Sequence, residues 1–239
     1  YANTEGLDSS DPPQPPDQPS SELDRWILSR LQGTVALVSE HMDAFDCTTA
    51  GRAIAEFVED LSNWYVRLCR ARFWDGDAEA FATLRHCLVE VAKLLAPFTP
   101  FVADEIYGNL VGGESGEFAD QPDSVHLCEF PQVDQSRVDS ELEESMSAVH
   151  RTVELGRAAR AQAKVKIRQP LRRAVVVASD EERAAVKQLE DLVASELNVK
   201  EIEFVSDATE LVTYLVKPNY RSLGPRFGSE MPLVAAAVE

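Results

Sequence analysis

The chain has 239 residues and a formal net charge of -18 at pH 7, with 44% hydrophobic and 27% charged residues. This composition is typical of a globular protein with a sizeable core, in one large domain or two small ones. No apolar run approaches the roughly 20 residues that cross a bilayer, and the first residues do not resemble a secretory signal. Four widely separated cysteines without zinc-type spacing favour the reducing cytosol. We therefore expect a cytoplasmic protein with no membrane partner and no metal site.

Proline content and amphipathic periodicity define the first half of the chain. Residues 1–21 are predicted to be a disordered linker, because residues 8–21 contain five prolines and no apolar residue. Residues 22–112 are predicted to form a helical bundle, because apolar residues recur there at spacings of three and four. The four predicted helices are Leu23–His41 (capped by Ser21 or Asp24), one from a cap at Thr48 or Thr49 to about Trp74, Ala78–Leu95, and one from Pro100 through Leu110.

The second half has a different pattern. Residues 113–137 are predicted to be an acidic connecting loop with a short strand around His126, and residues 138–170 a long helix (138–164) with a basic junction. Residues 171–239 are predicted to be a small, truncated α/β module. Its predicted elements are strands at Leu171–Ala178, Lys200–Val205 and Glu210–Val216, and a helix Glu181–Glu196 capped by Asp180. The predicted fold class is mainly α: a helical bundle followed by a long helix and a small α/β module.

An arginine-rich segment, Leu61–Trp74, contains three arginines and no acidic residue within a strongly acidic chain. Helical phasing places Arg67, Arg70 and Trp74 on one side, whereas Arg72 projects toward the apolar side, where it needs a carboxylate partner or the edge of a groove. Guanidinium groups attract phosphates and aromatic rings stack on bases, so this side suits a nucleic acid. An amphipathic core helix with a solvated basic face explains the pattern equally well. A core position is favoured for Trp64, which borders the apolar stripe.

Two further basic clusters follow in the chain. From Arg151 to Arg173 there are eight basic residues and one acidic residue, a net charge of +7. The alternatives are a basic face that meets an anionic partner and a helix that leaves the core and becomes solvated. In the last basic segment, glycines and prolines equally suit a tight turn. The candidate contacts of the two clusters are Arg157, Arg160, Lys164, Lys166 and Arg168, and then Lys217, Asn219, Arg221 and Arg226.

Signatures of catalysis are absent from the sequence. It contains no glycine-rich phosphate loop, no GxSxG and no HExxH, and its four histidines are isolated. The carboxylates form solvated runs rather than recognisable acid–base pairs. We therefore predict no catalytic residue and no cofactor in this chain.

Several sequence blocks resemble class I aminoacyl-tRNA synthetases. Two of them are similar to blocks shared by the isoleucine and valine enzymes: LDRWILSRL and LLAPFTPFVADEIYGNL. The others resemble isoleucyl-tRNA synthetases specifically: LSNWYVR with RFW, LGRAARAQAKVKIRQPL, ELNVKEIEFV and KPNYRSLGPRFG. The resemblance implies a C-terminal fragment with an anticodon-binding helical bundle, whose partners are the anticodon stem-loop of isoleucine tRNA and the missing catalytic and editing domains. The family attaches isoleucine to tRNA with ATP and magnesium during translation. Its HIGH and KMSKS signatures are absent here, so we expect this fragment to be non-catalytic.

The sequence departs from the family pattern at two points. Related sequences usually carry more basic residues where this chain has Leu68, Cys69 and Ala71, and the cysteine-rich zinc module of some relatives is missing. The alternatives are a fragment of the valine-specific sister synthetase, or a helical protein-interaction module that binds a basic partner through the acidic loop.

Overall fold

In a computed structural model of the chain, the structure describes residues 14–111, 122–207 and 220–230. The following predicted features lie outside them: most of the linker (1–13), part of the acidic loop (112–121), the strand Glu210–Val216, the candidate contacts Lys217 and Asn219, and the tail 231–239.

The described part of the chain is mainly helical, which confirms the predicted fold class. The chain is divided into two compact units, Tyr1–Ser147 and Ala148–Glu239. The elements of the first unit are α1 (Glu22–Asp43), α2 (Cys47–Asp60), a π-helical segment (Leu61–Val66), α3 (Arg70–Trp74), α4 (Ala78–Leu95) and α5 (Pro100–Val111). The largest fully buried side chains of this helical bundle include Trp26, Phe57, Tyr65, Leu94 and Tyr107.

Carboxylate caps begin two of the bundle helices. Asp46 accepts a hydrogen bond from the backbone N–H of Thr49 and caps α2, so the predicted cap at Thr48 or Thr49 is wrong. Asp77 caps α4 by accepting from the N–H groups of Glu79 and Ala80. Each carboxylate satisfies N–H groups that have no partner inside the helix. The observed bounds of α4 agree with the predicted helix Ala78–Leu95.

The π-helical segment changes which residues after α2 reach the core. In this region every fourth residue is buried. In a regular α-helix, each residue of such a row would be displaced by about 40° around the helix axis from the one before it, and the row would turn away from the core. The wider turn of a π-helix compensates for this rotation. Regular α-helical spacing from Leu61 and Tyr65 predicts that Leu68 faces the core. Instead, Cys69 is fully buried and Leu68 is only half-buried. The buried row consists of Phe57, Leu61, Tyr65, Cys69 and Phe73.

Two segments that flank the bundle differ from simple linkers. Residues 14–20 contain no helix or strand, but Pro15 and Pro19 are buried and Ser20 donates two hydrogen bonds to the Glu79 carboxylate. Residues Val125–Leu127 form a 3-10 turn, so the predicted strand around His126 is wrong. Ser124 begins this turn, and its hydroxyl donates to Asp104 of α5 at 2.7 Å.

Helix α6 (Ser140–Gln162) contributes its first residues to the first unit and the rest to the second. In the second unit, strands β1 (Ala174–Val177) and β2 (Ile202–Val205) pair in parallel, with Ala174 opposite Ile202. Helices α7 (Asp180–Gln188) and α8 (Glu190–Leu197) connect the strands, and α9 (Tyr220–Phe227) follows. The prediction of one helix capped by Asp180 is wrong, because Ser179 caps α7 through a capping box and the helix breaks at Leu189.

Candidate nucleic-acid interface

Arg72 joins α3 to two other helices of the bundle. Its Nη1 and Nη2 atoms donate to the two carboxylate oxygens of Asp24 at 2.7 and 2.8 Å, and its Nε donates to Asp77 at 2.7 Å. The Asp24 side chain is 0% exposed. Arg72 therefore faces the apolar side as predicted, and of the two alternatives it takes the carboxylate partner. A buried carboxylate needs such a partner, because burial without one carries a large desolvation cost.

Neighbouring groups complete this network and fix its protonation. The Tyr65 hydroxyl donates to Asp24 at 2.8 Å, and burial together with the Asp24 charge raises the pKa of Tyr65. The hydrogen bond from Arg72 lowers the pKa of Asp77. Burial raises the pKa of the Cys69 thiol to about 11, so this thiol stays protonated at neutral pH and is no nucleophile. The network therefore fixes the position of α3 while its buried groups carry no reactive chemistry.

Arg70 and Trp74 lie on the outer side of the same short helix. Arg70 is two residues from Arg72, about 200° around the helix, so the two arginines point to opposite sides. Trp74 is four residues after Arg70 and therefore lies on the same face. Both side chains are exposed, and 56% of Trp74 is accessible. An exposed indole next to a guanidinium offers a flat stacking surface and a positive charge together.

Arg67 lies directly after the π-helical segment. Its side chain is exposed, its guanidinium carbon lies 5.4 Å from the ring centroid of Trp64, and its Nε donates to the Asn63 carbonyl at 2.7 Å. This distance is typical of a cation–π contact, in which the positive charge is attracted to the face of the indole. Trp64 is half-buried, so it lies at the edge of the core and not fully inside it, as the sequence favoured.

The second cluster separates into different environments. Lys164, Lys166 and Arg168 are exposed in the segment that follows α6. Arg157 is exposed on α6 but is paired with Glu196 of α8. Arg160, however, is 7% exposed and donates to backbone carbonyls of the segment after α6. Arg160, a candidate RNA contact from the sequence, thus takes backbone partners, and its guanidinium is enclosed by protein.

The described part of the third cluster lies on α9. Arg221 and Arg226 are both exposed, but they are five residues apart and therefore lie about 140° apart around the helix. This segment forms a helix that ends before Gly228, which has a φ of 42°, and is not the tight turn considered as an alternative. The helix does not bring its two arginines onto one face.

In the described part of the chain, no group of three or more His, Cys, Asp and Glu side chains could hold a metal ion. Within the same ranges, every helix is too short or too polar to cross a membrane.

The sequence from α1 into β1 identifies the family. Residues 24–176 match the family described as the anticodon-binding domain of tRNA ligase. The chain belongs to this family. The match includes the bundle, the exposed Arg67, Arg70 and Trp74, and the basic segment after α6.

Curated relatives support the resemblance found in the sequence blocks. Isoleucine–tRNA ligase of Thermobifida fusca is 45% identical over 235 residues, which cover 96% of this chain and 21% of the relative. The enzyme of Deinococcus radiodurans is 42% identical over 243 residues, covering 100% of this chain and 22% of the relative. That of Chlamydia trachomatis serovar D is 39% identical over 243 residues, covering 100% and 23%. The chain thus spans between a fifth and a quarter of the length of these relatives.

Sequence reasoning missed two structural residues of this region. Asp24 was considered only as a cap, although an acidic residue next to the apolar stripe of α1 signals a buried ion pair. Asn198 was not singled out; it has a φ of 50° at the end of α8, a conformation that Asn adopts more readily than most residues.

Proposed function

We propose that this chain is the anticodon-binding part of an isoleucine–tRNA ligase and binds the anticodon stem-loop of isoleucine tRNA. The parent enzyme would join isoleucine to that tRNA with ATP and magnesium, in the cytoplasm, during translation. Catalysis and editing would belong to other domains of the parent, because the HIGH and KMSKS signatures are absent from this sequence. Membership of the anticodon-binding family and the names of the relatives support this proposal.

The observation that carries the proposal physically is the exposed pair of Arg70 and Trp74 on a helix that Arg72 and Asp24 hold in place. Unpaired loop bases of RNA splay outward and stack on aromatic or guanidinium planes. In our proposal, Trp74 stacks on such a base while Arg70 and Arg67 contact phosphates or base edges. The net charge of -18 repels RNA elsewhere on the surface, so these local positive groups would direct binding.

The other exposed cations would contact phosphates. Lys164, Lys166 and Arg168 present three positive charges within five residues. Arg157 would contribute through the same region while it remains paired with Glu196. Arg221 and Arg226 stay candidate contacts on α9, and Lys217 and Asn219 stay predictions from the sequence.

Titration with transcribed tRNAs tests the proposal. The purified chain would be titrated with isoleucine tRNA and with unrelated tRNAs over a series of salt concentrations. We expect tighter binding of isoleucine tRNA and a steep loss of affinity as salt rises, because several phosphate contacts release counterions. Tighter binding of valine tRNA would favour the sister enzyme. Absence of binding to any tRNA would contradict the proposal.

A further inference from the structure

The segment after α6 is an ordered basic loop rather than a solvated tail. We define the basic loop as residues 163–170, which contain Lys164, Lys166 and Arg168. It begins with a reversal in which Val165 N–H donates to the Arg160 carbonyl and Lys164 N–H donates to the Ala161 carbonyl. This pair of hydrogen bonds is the Schellman motif that ends many helices.

Lys164 stands at the position of this motif that normally holds glycine. Its φ is 56°, in the left-handed region that a residue with a Cβ atom adopts only at an energetic cost. A glycine here would remove that cost and also the positive charge. The structure therefore places a strained, exposed lysine at the start of the basic loop, which favours a function for its ammonium group.

The buried Arg160 side chain donates hydrogen bonds to three carbonyl groups of the basic loop. Its Nη2 donates to the carbonyl of Lys166 at 2.7 Å, to that of Ile167 at 3.3 Å, and to that of Gln169. Within the described residues no carboxylate lies at ion-pair distance from Arg160, so its positive charge adds to the potential of the loop. The carbonyls point inward to the guanidinium, while the side chains of Lys166 and Arg168 are exposed.

Asn198 holds the same loop from α8. Its side-chain Nδ2 donates to the Ile167 carbonyl at 2.9 Å, and its backbone carbonyl accepts from Leu171 N–H at 3.1 Å. Asn198 also adopts the left-handed conformation, with a φ of 50°. Two residues from different helices thus fix one loop through its backbone and leave its basic side chains exposed.

We propose that Arg160 and Asn198 are positioning residues that preform the basic loop for RNA phosphates, with Lys164, Lys166 and Arg168 as the contacts. This inference rests on the proposed function. Ordering the loop before binding removes an entropy cost that flexible lysines would otherwise add to association. Arg160 would thereby act on RNA binding through the loop and not by touching RNA.

Asn198→Gly is the most selective test, because glycine accepts the left-handed backbone and only the side-chain donor is lost. We expect it to weaken binding of isoleucine tRNA by roughly threefold to tenfold. Arg160→Gln should weaken binding by roughly tenfold or more, with partial rescue in Arg160→Lys, which keeps N–H donors and the charge. The exposed Lys187→Gln in α7 is the matched control for a lost charge and should change affinity less than twofold.

A double-mutant cycle separates positioning from a merely structural role. The triple change Lys164→Gly, Lys166→Gln and Arg168→Gln removes three phosphate contacts. Each contact contributes roughly 0.7 to the slope of log affinity against log salt concentration, so the magnitude of this slope should fall by about two. In that background Asn198→Gly should have no further effect on affinity. If Asn198→Gly weakens binding equally with and without the three charges, the positioning role is overturned.

Amide hydrogen exchange tests the ordering of the loop without RNA. Asn198→Gly and Arg160→Gln should accelerate exchange at Val165 and Gln169, whose N–H groups are hydrogen-bonded in the loop. Unchanged exchange in both variants would overturn the inference while leaving the proposed function intact. A wild-type chain that binds no tRNA would overturn the proposed function, and the exchange result would still decide whether the two residues order the loop.

Discussion

Arg72 and Asp24 form a two-pronged ion pair, with N–O distances of 2.7 and 2.8 Å, between the end of the arginine-rich segment and the first turn of the first bundle helix. Arg72 thereby fixes the face on which Arg70 and Trp74 are exposed. One arginine of the segment holds the helix in the bundle and another remains available on its surface. Structural and binding roles are thus divided between residues two positions apart.

Replacing Arg72 with methionine should destabilise the bundle by roughly 3–5 kcal/mol, because the fully buried Asp24 carboxylate would lose its cationic partner. Urea unfolding measures this change. Arg70→Met in the same helix is the matched control and should change stability by less than about 0.5 kcal/mol, since its side chain is exposed. The double change Asp24→Asn with Arg72→Met should recover part of the loss. Equal stability of Arg72→Met and the wild type would contradict the role given to this ion pair.

Replacing Trp74 with alanine should weaken binding of isoleucine tRNA by roughly 1–3 kcal/mol, the usual value of one base stacked on an aromatic ring. Its unfolding free energy should change little, because the indole is 56% exposed. Phe45→Ala provides the control: Phe45 is 92% exposed but lies in an acidic turn between α1 and α2. Equal effects of the two substitutions on RNA affinity would remove Trp74 from the interface.

Gly156→Ala should destabilise the second unit by about 1–2 kcal/mol. A Cβ atom at Gly156 would lie 2.6 and 2.7 Å from the two methyl carbons of Leu197, which is itself 3% exposed. Gly33→Ala in α1 is the matched control, because nothing lies within 4 Å of its Cβ position. It should instead stabilise the chain by about 0.5–1 kcal/mol through helix propensity. Opposite signs in urea unfolding confirm the close approach, and two stabilising changes would contradict it.

His86 should make the bundle sensitive to mild acid. Burial lowers the pKa of His86, and the charges of Arg137, Lys93 and Arg85 add to this effect against that of Glu90. The folded state therefore binds a proton less readily than the unfolded chain, whose histidine pKa is about 6.5. Stability is fully present above that pH and falls as the pH decreases below it. His86→Gln should lose less stability between about pH 7 and pH 5 than the wild type. An identical loss in both proteins would exclude His86 as the cause.

Patterns that depend on apolar periodicity were predictable from the sequence. The helix Ala78–Leu95 and the inward direction of Arg72 both follow from the position of each residue around a helix. These features are local or are imposed by one amphipathic face.

Features decided by backbone contacts were not predictable in the same way. The π-helical segment buries Cys69 in place of Leu68, and hydrophobicity alone does not distinguish the two positions. The sequence predicts Arg160 as a surface cation. Its actual partners are backbone carbonyls of the loop, and no residue type in the sequence indicates such partners. His126 lies in an alternating stretch, but Asp104 holds that stretch in a turn through Ser124 and Val125.

A comparison of the affinities for two forms of the same RNA tests the central claim most directly. The wild-type chain would be titrated with isoleucine tRNA and with that tRNA carrying only exchanged anticodon bases. If the chain reads the anticodon, the exchanged form should bind at least roughly tenfold more weakly at equal salt. The reason is that each buried polar group left without a hydrogen-bond partner on an exchanged base costs about 1–3 kcal/mol of binding free energy. Equal affinity for the two forms would contradict anticodon recognition by this chain.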